Sequence, residues 1–200
     1  MGRAIAMIIK KRAKKRLKQM VFTGFLAFLS IACKEDQLPK PSGMLALNYP
    51  TTEYSLFKPE NCPYSFQKNE AGSVQFEKDC SVVINYPKLN GALYLTYRPV
   101  ENNIEQLLND AQKLTYEHVI KADNIIEEKY ANDIHDVYGM FYDVSGNAAS
   151  QSQFYVTDST AHFITGSIYF NAKPNYDSIY PAAAYLKNDI RHLMESLKWR

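Results

Sequence analysis

Residues 91–114 read GALYLTYRPVENNIEQLLNDAQKL, and the period of their apolar positions changes in the middle. The first ten, GALYLTYRPV, are rich in aromatic and β-sheet-forming side chains and predict a strand. From Ile104 onward, Leu107, Leu108, Ala111 and Leu114 fall at i, i+3, i+4, i+7 and i+10, one apolar face of a helix expected to reach about Lys121. Asn103 with Gln106 three residues later predicts an Asn variant of the capping box. A strand handing over to an amphipathic helix within one short stretch rules out an all-β chain and a helical bundle alike.

The same two periods extend outward on both sides. Upstream, SVVINYP (81–87) predicts a strand, and Lys88 to Gly91 supply a turn, so the two strands form a hairpin. MLALNYP (44–50) and CPYSFQ (62–67) read as shorter strands. Downstream, VYGMFYDVSG (137–146) sets Tyr138, Met140, Tyr142 and Val144 against Gly139, Phe141 and Asp143. SQFYVTDSTAHFITGSIYF (152–170) breaks at Asp158-Ser159. It predicts a hairpin with Phe154 and Val156 on one face, and Ile164, Ile168 and Phe170 on the returning strand. At the end the helical period returns. Leu186, Ile190, Leu193, Met194 and Leu197 share a face, Lys187, Asp189, Arg191 and Glu195 lie elsewhere around it, and Pro181 suits the first turn. Two helices, each following a block of antiparallel strands, predict a single α+β domain over 44–200. Both helices are expected to pack on a twisted sheet, in a topology similar to the PsbP/Mog1-like arrangement.

The first 33 residues follow different physics. The formal net charge of +2 conceals an asymmetry, because residues 1–32 carry eight Lys and Arg and no acidic residue. From Cys33 onward, 15 basic side chains face 21 acidic ones, a balance of −6 with no general attraction for phosphate backbones. No nucleic-acid partner is expected. The run MVFTGFLAFLSIA (20–32) has 13 apolar and small residues, too few to cross a ~30 Å hydrocarbon core, which takes about 20. A basic leader, a short apolar core and small residues before a cysteine predict a cleaved signal peptide over 1–32. Leu29-Ser30-Ile31-Ala32-Cys33 resembles a bacterial lipobox, so Cys33 is the expected lipid attachment site, with palmitate-type acylation. A buried cysteine ending a core helix and an uncleaved anchor are the alternatives. The length of the basic leader leaves Met1 and Met7 both open as starts. Residues 33–43, with Pro39, Pro41 and Gly43, then read as a lipidated tether.

Acylation of Cys33 leaves Cys62 and Cys80, an even pair that outside the cytoplasm reads as a disulfide, against the alternative of two reduced buried thiols. Two cysteines and four scattered histidines do not complete a zinc site, and no metal or cofactor is expected. Nucleophile-elbow, zincin, phosphate-loop and dinucleotide-binding patterns do not occur. Ser150 or Ser152 with His162 and Asp158 can be written down as a triad, which makes a hydrolase a third-ranked reading. His162 is otherwise a strand residue on a half-buried face, while His118, late in a helix, and His135, in a loop, face solvent. Glu127 with Glu128, and Asp133 with Asp136, read as surface charge. The uncharged donors and acceptors Asn147, Ser150, Gln151, Ser152 and Gln153 form the expected partner or ligand loop. They would hydrogen-bond a peptide edge, a glycan or a partner subunit, or else satisfy their own backbone.

QLPKP, LNYP, YLTYRPV, DAQKLTYEHVIKAD, YGMFYDVSGNAASQSQFYVTDS, HFITGSIYFNAKPNYDSI and YLKNDIRHLMESLKW together resemble the gliding motility lipoprotein GldD family of Bacteroidetes. The resemblance runs in order over essentially the whole chain after the signal peptide. It implies a non-enzymatic envelope lipoprotein needed for gliding and linked to type IX secretion, with other envelope lipoproteins of that machinery as partners and a lipid anchor in the membrane. Only Cys33 carries over as a functional position. Lys34, where inner-membrane retention in enteric bacteria uses Asp, favours the outer membrane, and partners in the machinery favour its periplasmic face. Asp158-Ser159-Thr160 and Asp177-Ser178-Ile179 fit the short O-glycosylation pattern of these bacteria. The alternative function is a periplasmic lipoprotein that binds glycan or peptidoglycan through residues 145–153 and the abundant tyrosines.

Overall fold

Alternating apolar and polar residues bury one face of each strand, and nearly every strand of this chain finds an antiparallel neighbour. The computed structural model describes residues 49–117, 121–172 and 175–200. The predicted signal peptide (1–32), the tether (33–43), most of MLALNYP and His118 lie outside the described residues. In order, the elements are β1 (Tyr54–Phe57), β2 (Tyr64–Asn69), β3 (Ser73–Phe76), β4 (Val82–Tyr86), β5 (Gly91–Pro99) and α1 (Ile104–Glu117). Then come β6 (Ala122–Asn132), β7 (Val137–Gly146), β8 (Ser152–Thr157), β9 (His162–Phe170), α2 (Tyr176–Glu195) and the two-residue β10 (Lys198–Trp199). The fold is α+β.

Seven strands form one antiparallel sheet in the order β3-β4-β5-β9-β8-β7-β6, and β1-β2-β10 form a smaller one. The register places Leu93, Leu95, Phe154, Val156, Ile164 and Ile168 on one face of the large sheet, where they are buried with Leu186, Ile190, Leu193 and Met194 of α2. Tyr64 and Phe66 of β2 enter the same core, so α2 and the small sheet cap that face together. The opposite face carries Thr96, Gln153, Tyr155, Phe163 and Thr165, and α1 lies over it, with Thr115 Oγ1 3.3 Å from Gln153 Oε1. The two helices thus cover opposite faces.

Several expectations shift. Strand β6 was read only as a charged stretch, Glu127 and Glu128 included; it is an edge strand whose charges keep the open edge from pairing. The helix α1, described over Ile104–Glu117, packs through Ala111 and Thr115, while Leu114 is exposed; residues 118–120 lie outside the described residues. The Asn103 side chain turns back to accept the Glu101 N–H, so no capping box forms. The helix α2 starts at Tyr176, which places Pro181 inside it rather than in its first turn. Its Asp189 is buried, not displayed on the polar face. The hairpin of β4 and β5 closes as expected, through a 3-10 turn at Pro87–Leu89 with Asn90 in the left-handed region at φ 50°.

Candidate functional site

The polar run that follows β7 is held inward. Ser150, Gln151, Ser152 and Gln153 are all buried. Ser150 Oγ donates to the Ser152 carbonyl at 3.2 Å, and Gln151 Nε2 donates to the Ala148 carbonyl at 2.8 Å. Asn147 Oδ1 accepts the Tyr176 N–H at 2.9 Å, holding the start of α2. Gln151 Oε1, Ser152 Oγ and Gln153 Nε2 have no partner among the described residues. Gln151 and Ser152 line a narrow slot against α2 beside the Lys187–Asp143 ion pair at 2.9 Å. This run presents little to an incoming ligand.

His162 lies at the other end of β8. Ser152 pairs with Asp143, whereas Thr157 pairs with Phe163 five residues on, roughly 17 Å away along the strand. Ser150, Ser152 and His162 therefore do not meet. The imidazole stands 3.0 Å from the Tyr97 hydroxyl through Nδ1 and stacks on Trp199 at 5.1 Å. Asp158 does not bond the ring. Its Oδ1 accepts the N–H groups of Thr160, Ala161 and His162 at 2.8–3.0 Å, closing the β8–β9 turn. Burial opposes the charge there, yet those donors outweigh it and hold the carboxyl below its usual 3.8. Among the described residues, no group of three His, Cys, Asp or Glu is placed to hold a metal ion.

Among the described residues, open clefts of comparable size include the following three. The first, about 510 Å³, runs between α1 and the β5–β9 face and carries Arg98, Glu101 and Asp110. The second, about 610 Å³, gathers His135, Asp136, Asp158, His162, Trp199 and Arg200. The third, about 540 Å³, sits at the end of the β4–β5–β9 strands and has an uncharged lining of tyrosine, asparagine and small residues.

Cys62 and Cys80 are joined, with Cα atoms 5.5 Å apart, and the bond ties the segment entering β2 to the turn between β3 and β4. Arg191 of α2 makes a two-pronged ion pair to Glu128, 2.8 Å on each prong, with its guanidinium 4.3 Å above the Phe141 ring. Sequence reasoning missed that pair because β6 had not been recognised as a strand. It also missed the buried Asp189, although the spacing 186, 189, 190, 193 puts that residue on the apolar face. Among the described residues, no helix is long and apolar enough to cross a membrane.

A family model described as "Gliding motility lipoprotein GldD" matches residues 34–199. No curated protein matches the chain.

Proposed function

The chain belongs to the gliding motility lipoprotein GldD family, and from that premise we propose that it acts as a non-catalytic docking or stabilising component of the gliding apparatus and its type IX secretion machinery. The observation that carries the reading is the extent of the match, which begins one residue after Cys33 and ends one residue before Arg200. A family of lipoproteins is held at a membrane in the envelope; the outer membrane and its periplasmic face are the proposed location. Acylation at Cys33 confines the domain to two dimensions and raises its effective concentration toward neighbours on the same surface, so weak contacts suffice. Support for a non-catalytic role comes from the β8–β9 hairpin, which sets Ser152 at one end of β8 and His162, the first residue of β9, beside the other.

The test is made in the native host. Deleting the gene is expected to abolish colony spreading and reduce secreted protein, with rescue by wild type and none by Cys33→Ala. Normal spreading and secretion in the deletion would overturn the proposal. Mildly solubilised envelopes should yield other envelope lipoproteins of the machinery with the protein, and recovery of the protein always alone would refute docking.

A further inference from the structure

The uncharged cleft at the end of β4, β5 and β9 has a floor set by register. On the outer face of the large sheet, Asn85 of β4 is paired with Ala92 of β5, and Ala92 with Tyr169 of β9. The small Ala92 leaves a dip between an amide and a phenol ring. Tyr94, two residues on, stands beside it 46% exposed, its ring edge-to-face with Tyr169 at a centroid distance of 5.6 Å. Asn171 closes the end; its carbonyl accepts the Asn90 amide at 2.8 Å. Neither the Asn85 nor the Asn171 side-chain amide is hydrogen-bonded to a described residue.

Chemistry narrows the ligand. Among the described residues, no lining side chain of this cleft carries a charge, whereas the other two clefts carry guanidinium, carboxylate or imidazole groups. An anionic or cationic ligand would lose hydration here without gaining a counter-charge. An extended peptide adding to a sheet needs a free strand edge, and β4, β5 and β9 are paired on both sides. An uncharged sugar ring fits both constraints. Its C–H faces pack on exposed phenol rings, and its hydroxyls donate and accept, as free carboxamides do. We propose that this cleft is a binding site for a neutral oligosaccharide, with Tyr94 as the stacking platform and Asn85 and Asn171 as hydrogen-bonding groups.

The site is lined by none of residues 145–153 and does not depend on the motility role. Full-length lipoprotein, purified in a detergent without a sugar head group, is passed over immobilised chitohexaose, cellohexaose and oligogalacturonate. Retention on at least one neutral oligomer and none on the polyuronate is expected. Tyr94→Ala should weaken retention about tenfold. Asn85→Asp, which keeps shape and adds charge, should weaken it as well. Tyr180→Ala, at an exposed tyrosine of α2, should leave retention unchanged. Melting curves check that each variant is folded. Preference for chitohexaose would indicate an N-acetylated source such as cell-wall glycan, and preference for cellohexaose a plain hexose polymer; either supports the site. No retention on neutral oligomers, stronger retention on polyuronate, or full retention by folded Tyr94→Ala and Asn85→Asp would overturn it.

Discussion

Asp189 is a carboxylate on an apolar helix face, only 4% exposed, and its partners explain how it is tolerated. Tyr54 of β1 donates to Oδ1 at 2.9 Å and Asn69 of β2 donates to Oδ2 at 2.7 Å. The Tyr86 hydroxyl of β4 also favours the charged carboxylate, and His192 lies one turn along the helix. Burial nevertheless raises the carboxyl above its ordinary 3.8, outweighing those donors. A raised folded value means that the folded state holds the proton more tightly. That contribution to stability is complete below 3.8 and is lost as pH rises through the folded value. Wild type should therefore gain in Tm relative to Asp189→Asn as the pH is lowered from 7 toward 4, in a paired melting series. Asp189→Ala, which removes the acceptor of the Tyr54 hydroxyl and one of the two acceptors of the Asn69 amide, should cost about 2 kcal/mol in denaturant unfolding. Gly166 is a further residue whose identity a close approach dictates: a Cβ there would run into the Phe154 ring. Gly166→Ala should destabilise by about 1–3 kcal/mol through overpacking, read by the same titration.

Among the elements, the two helices differ sharply in how they are held. The helix α2 buries Ile179, Ala182, Ala183, Leu186, Ile190, Leu193 and Met194, whereas α1 buries only Ala111 and Thr115. Local opening follows the number of buried apolar contacts. Amide exchange should be faster throughout α1 than in the central turns of α2, and equal protection would show that α1 is packed more tightly than its burial indicates. The small sheet is held to the large one by β2, whose Tyr64 and Phe66 enter the core, and by the Cys62–Cys80 bond just before it. Opening that bond with a reductant should cost roughly 3 kcal/mol and lower Tm by about 10 °C, and the Cys62→Ser, Cys80→Ser double variant should reproduce the shift without reductant. The hairpins were legible because their strands alternate cleanly and their turns carry Asn90 and Asp158. The edge strand β6 was not, because a half-solvated edge has no apolar face of its own, and its Glu128 is neutralised only by Arg191, 63 residues away.

At the scale of the whole molecule, charge and apolar character are spread unevenly along the chain. Residues 1–33 hold the concentrated basic and apolar character, and the rest of the chain is a net acidic α+β domain. Cys33, the proposed lipid site, lies outside the described residues, and the cysteine pair of the domain is joined. Local order of residues determined the two helical periods and the hairpins, which rest on near neighbours along the chain, and the family showed itself in runs spread over residues 34–199. The candidate site depended on distance. Asn147, Ser150, Gln151, Ser152 and Gln153 look like a ligand-facing loop when read alone, since polarity along a chain does not reveal which way a side chain turns. The fold draws all but Asn147 inward and uses Asn147 to hold α2. Asn85, Ala92 and Tyr169 look unremarked in sequence, yet antiparallel register sets them in one row across three strands. Periodicity fixes which face a residue shares with its own element; only pairing between distant strands decides what stands beside it on that face.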